Sequence, residues 1–103
     1  MISEADWKKV KKIKEKALEV FCDRALSDIG EAISKDSSTR HGKFLYVYKM
    51  AETHHKRLAL IFDDLRRSNA RVHLALIVSE GLVSTEDFSS LSEELRAFIQ
   101  EHA

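Results

Sequence analysis

Proline is absent from this 103-residue chain, and glycine occurs three times, at Gly30, Gly42 and Gly81. Proline breaks helices and glycine weakens them. A chain this sparsely punctuated favours long helices over a sheet joined by tight turns. The three glycines are isolated, which excludes a glycine-rich phosphate loop. A single cysteine, Cys22, excludes an internal disulfide and a cysteine-rich zinc site. No run approaches 18 apolar residues, and the first residues carry no apolar signal segment. A cytoplasmic protein with no membrane association is therefore expected. Net charge is also lacking: 17 basic residues balance 17 acidic ones, so no global basic field draws in nucleic acid.

The charge that is present is unevenly placed. Residues 1–16 carry Lys8, Lys9, Lys11, Lys12, Lys14 and Lys16 against Glu4, Asp6 and Glu15. Residues 79–103 carry Glu80, Glu86, Asp87, Glu93, Glu94 and Glu101 against Arg96 alone. Lysines near a helix N-terminus oppose the backbone dipole by about 0.3–1 kcal/mol each. They form a solvated face, pair with the acidic tail, or hold an anionic ligand.

Composition is 44% hydrophobic and 33% charged, which is globular. One domain over 1–103 is expected. A chain of this length buries only about 60–65% of its unfolded surface, so self-association would help it. Ser3 and Asp6 have capping-box spacing ahead of an apolar stripe: Trp7, Val10, Ile13, Ala17, Val20, Phe21, Ala25. That pattern continues through Leu26, Ile29 and Ile33, with Gly30 as a weak point. The polar stretch 34–42 reads as the one substantial loop. A second helix then carries Phe44, Val47, Tyr48, Ala51, Leu58, Phe62 and Leu65 on one face, taken as its core face. Whether residues 38–80 form one helix or two is open, with Ser68 and Asn69 as candidate caps. Gly81 supplies a left-handed helix stop. Ser84 with Asp87, and Ser90 with Glu93, have capping-box spacing before a last helix with Phe88, Leu91, Leu95, Phe98 and Ile99. The expected fold class is all-α: a three- to four-helix bundle with long helices, dimeric.

Chemistry-bearing residues are few. His55 falls on the apolar face of the second helix beside Tyr48 and Phe62. Were that helix continuous, Arg66, Asn69 and His73 would extend the same side, with residues 55 and 73 five turns apart. Tyr48, Glu52, His55, Arg66 and His73 are thus candidates for a ligand-binding seam, against the plainer role of satisfied core or interface groups. Glu52 and His55 have the Glu-x-x-His spacing of di-iron bundles, but a matching second motif is lacking, so neither a metal nor any other cofactor is expected. An enzyme with His55 as base and Arg66 as anion clamp would lack a nucleophile, and Cys22 reads as an inert core thiol. The segment around Gly81 has helix–turn–helix rhythm, but Glu86, Asp87, Glu93 and Glu94 would face phosphates, so no major-groove DNA binding is expected.

Leu45, Tyr46, Leu60, Leu74 and Val78 lie outside the main stripes. A helix apolar on more than one side is covered by more than one neighbour, and a short chain has few to spare. A second copy of the chain is the expected partner, with a different protein as the alternative. The favoured function is therefore interaction or regulation through self-association or partner binding, with a small-ligand or metal-binding bundle as the alternative. No motif is specific enough to carry a family.

Overall fold

Two antiparallel helices of unequal length organise the computed structural model, which describes residues 1–36 and 39–103. Helix α1 runs Glu4–Ser34 and α2 runs Arg40–Phe62; α3 (Ala70–Ser79), α4 (Thr85–Ser89) and α5 (Glu93–His102) follow. A single 3₁₀ turn, Arg67–Asn69, precedes α3, and the described residues contain no strand. The fold is all-α. The short helix α4 arises because Ser84 and Ser92 each start a helix of their own: Ser84 accepts from the Asp87 N–H, and Ser92 from the Leu95 N–H. Ser90, whose spacing with Glu93 suggested a cap, instead closes α4.

Ser3 caps α1, accepting from the Asp6 N–H at 3.1 Å, a cap that contributes about 1 kcal/mol. The helix passes through Gly30 without a break. It takes in Ser34, and α2 begins at Arg40, so helices occupy both ends of the polar stretch 34–42; residues 37 and 38 lie outside the described residues.

Residues 40–80 do not form one helix. The break has a local cause without glycine or proline. Asp63 is extended and Asp64 takes φ 60°, a left-handed conformation in which Asp is enriched. The Asn69 amide then brackets the turn, donating to the Asp64 carbonyl and accepting from the Arg66 N–H, both at 2.8 Å. At the end of α3, Gly81 has φ 71°, and Leu82 N–H reaches back to the Ile77 carbonyl at 3.3 Å. This is the glycine stop its position predicts.

Burial is concentrated at one end. Val10 and Ile13 of α1 pack with Ala70, Leu74, Leu91, Leu95 and Ile99, flanked by Trp7 and Phe88. A second cluster joins Ala17 and Phe21 to Ile61, Phe62, Ile77 and Leu82. Fully burying such side chains contributes about 1.5–3 kcal/mol each. Leu74, outside the main stripe in sequence, is a core residue because α3 is a separate helix that folds back on α1 and α5.

Beyond Phe21 the buried residues run out. Ala32 is the one buried residue in the rest of α1, and none lies between Arg40 and Leu60 in α2. The last four turns of α1 and most of α2 extend from the core as a two-helix hairpin. The molecule measures 53 × 24 × 22 Å with a radius of gyration of 16.6 Å, against about 13 Å for a compact domain of this length.

Candidate functional site

The hairpin packs through one narrow line of side chains. On α1, Phe21, Ala25, Asp28 and Ala32 succeed one another at helical spacing; on α2, Val47, Met50, His54, Leu58 and Ile61 do so. The Phe21 ring meets His54 edge-on at 6.2 Å and Phe62 at 5.9 Å. His54 Nε2 lies 3.3 Å from Asp28 Oδ2, and Lys43 Nζ donates to the Ile33 carbonyl at 2.8 Å.

This corrects the face assigned to α2. Phe44, Tyr48 and Ala51, expected in the core, are exposed; Phe44 is 68% and Tyr48 54% accessible. Helix α1 shows the same departure, with Leu26 at 67% and Ile33 at 54%. At 100° per residue, Cys22, Leu26, Ile29 and Ile33 form a stripe roughly 100° round from the α1 packing line. Phe44, Tyr48, Ala51 and His55 form one roughly 90° round from the α2 packing line. Both rotations run in the direction of increasing residue number. Because the helices are antiparallel, both carry the stripes to the same side of the hairpin. Each stripe also has the 4-3-4 spacing of a knobs-into-holes seam. The hairpin thus presents one broad apolar face, with Leu45 exposed at its outer edge and Cys22 and Ile29 half-buried at its centre.

The opposite side is different in character. There Asp28, Glu31, Ser34 and Lys35 line a cleft with Tyr46 and Met50. Closer to the core, Arg24 donates to the Glu80 and Gly81 carbonyls at 3.1 Å each, and Arg57 pairs with Glu80, so the end of α3 covers the hairpin from that side.

The five candidate seam residues are divided among three segments. Tyr48, Glu52 and His55 share α2; Glu52 sits 3.8 Å from Lys49 and 4.0 Å from Lys56. Arg66 lies in the turn after α2, its guanidinium 3.9 Å from Asp64 and largely exposed. His73, on α3, donates from Nδ1 to the Ile61 carbonyl at 2.7 Å. It caps one of the carbonyls left free at the end of α2. The five-turn relation between residues 55 and 73 is lost with the continuous helix. Among the described residues, no group of three or more His, Cys, Asp or Glu could hold a metal.

The N-terminal lysines find part of their answer within the chain. Lys16 pairs with Asp87 at 3.2 Å, Lys9 donates to the Ser90 carbonyl, and Lys11 stands 5.6 Å over the Trp7 ring. Basic head and acidic tail meet in one molecule.

No family model, curated protein or solved structure matches the chain. No helix among the described residues is long and apolar enough to cross a membrane.

Proposed function

We propose that this protein is a small helical interaction module that works by association, through the apolar face of its α1–α2 hairpin. The observation that carries this is the joint exposure of Leu26, Ile33, Phe44 and Tyr48 on one side of two paired helices. Scattered exposed apolar residues are ordinary, but a contiguous patch rimmed by charge marks an interaction surface. Two parallel rows of knobs at heptad spacing suit helical partners in particular, since each row needs holes between side chains of a facing helix. The association completes a helical bundle that the hairpin alone leaves half built.

A photo-crosslinking amino acid at position 48, compared with one at the exposed Glu86 on α4, tests this in the cell. Covalent capture of a protein from position 48 and not from position 86 is expected. Capture from neither position, or equally from both, would overturn the proposal.

A further inference from the structure

Resting on that surface, we infer that its occupant is a second copy of this chain, seated with the two hairpin tips together so that α1 of each copy lies over α2 of the other. Two identical faces can stack in two ways related by a two-fold axis. With the axis along the helices, the tips point the same way and α1 covers the partner's α2. With the axis across the helices, the tips point apart and α1 covers the partner's α1.

Charge separates these arrangements. In the distal part of α1, residues 18–34, Glu19, Asp23, Asp28 and Glu31 stand against Arg24, a net −3. In α2, residues 40–62, Arg40, Lys43, Lys49, Lys56 and Arg57 stand against Glu52, a net +4. On the outer edges beside the stripes, α1 carries Glu19 and Asp23, while α2 carries Lys49 and Lys56 with Glu52 between them. Stacking α1 on α1 sets acid against acid and base against base; stacking α1 on α2 sets opposite signs together along both rims.

Register supports the same choice. The contacts of Phe21 with His54 and of Lys43 with Ile33 place Cys22 level with His55, Leu26 with Ala51, Ile29 with Tyr48 and Ile33 with Phe44. A two-fold along the helices keeps every residue at its own level. Each knob of one α1 stripe therefore meets its level mate on the other copy: large Leu26 over small Ala51 of the partner subunit, Ile29 over Tyr48 of the partner subunit. The end of α3 packs on the far side of the hairpin, through Arg24 and Arg57, which leaves this face open at its base. Phe44 and Tyr48, with Leu26 and Ile33, supply large, largely exposed apolar side chains to this face for a second hairpin to cover. The product is a four-helix bundle with a globular head on each protomer.

Sedimentation equilibrium over a concentration series, with His55→Cys and Leu26→Glu beside the natural chain, tests this. The natural chain is expected to be a dimer that salt loosens. Leu26→Glu, at an exposed position, is expected to be a folded monomer by circular dichroism. His55→Cys is expected to oxidise to a covalent dimer through Cys22 of one subunit and the new cysteine of the other. Cys22 alone, at diagonal positions in this bundle, gives no such dimer. A monomer at every concentration, with a position-48 crosslink to a protein of another mass, would overturn the second copy while keeping the face as a binding surface. A dimer unaffected by Leu26→Glu, or an absence of disulfide dimer in His55→Cys, would overturn this arrangement. Loss of all capture at position 48 would overturn the surface itself.

Discussion

Asp6 and Ser92, 86 residues apart, join the first turn of α1 to the first turn of α5: the Asp6 carboxylate accepts from the Ser92 N–H at 3.0 Å and from its hydroxyl at 2.5 Å. Asp6 is 4% exposed, the one charged side chain buried among the described residues. Its negative charge lies by the N-terminal end of α5, where the backbone dipole favours it. The same Ser92 hydroxyl oxygen caps α5 by accepting from Leu95.

Replacing Asp6 with Ala therefore leaves the partly buried Ser92 N–H and hydroxyl without their acceptor. The loss expected is about 2–3 kcal/mol, from hydrogen bonds to a charged group. In a domain of this length that lowers the melting temperature by about 10–20 °C. Ser92→Ala, which removes the cap but keeps the backbone donor, is expected to cost about 1 kcal/mol. Thermal denaturation of both variants checks the order; equal losses would show that the carboxylate contributes nothing beyond the cap.

Lys16 and Asp87 are also paired across the molecule, but in a different setting. The Lys16 side chain is 69% exposed, and exposed pairs contribute about 0–1 kcal/mol. Lys16→Ala is expected to shift the urea midpoint by less than the scatter among core variants, with the remaining difference erased by 0.5 M salt. A loss above about 1.5 kcal/mol would mean that the basic head anchors the acidic tail rather than merely lying beside it.

His73 is expected to act on stability and not on association. Its bond to the Ile61 carbonyl closes α2 on the side of α3, and losing it costs about 1 kcal/mol. His73→Ala should therefore lower the melting temperature by about 4–8 °C and leave the dimerisation constant unchanged once the chain is folded. Weakened dimerisation at constant fold content would place His73 in the interface instead.

Local signals were legible in the sequence and side-to-side assignments were not. The Ser3 and Ser84 caps and the Gly81 stop each depend on a few adjacent residues, and each stands where its spacing predicts. The break after Phe62 depends on Asn69 reaching back to Asp64, a contact that no helical periodicity encodes. The face of α2 was misplaced for a related reason. Phe44, Tyr48 and Ala51 make a better apolar stripe than Met50 and His54, yet His54 meets Phe21 of α1. Of the face expected in the core, Val47 is half-buried while Phe44, Tyr48 and Ala51 are exposed. A periodic stripe says that a face is to be covered, not whether the cover comes from the same chain. Of the five candidate seam residues, Tyr48 and His55 lie on the exposed hairpin face, while Arg66 and His73 belong to the break and its repair.

Backbone protection should record that division. The buried residues of α1 up to Phe21, of α3 and of α5 share the two core clusters, so their amides open only with most of the molecule. Distal α1 beyond Cys22 and α2 before Leu58 bury almost nothing within the monomer. Segments with few buried contacts open at low free-energy cost. In dilute solution their amides are expected to exchange well ahead of those at Ile13 or Ile77. With the proposed second hairpin covering both stripes, raising the concentration should slow exchange selectively at residues 22–33 and 44–55, since association shifts the equilibrium by mass action. Leu26→Glu should hold the hairpin in its fast-exchanging state at every concentration. Protection that is uniform along α1 and independent of concentration would mean that the hairpin is stable without a partner, leaving its apolar face with no energetic need of one.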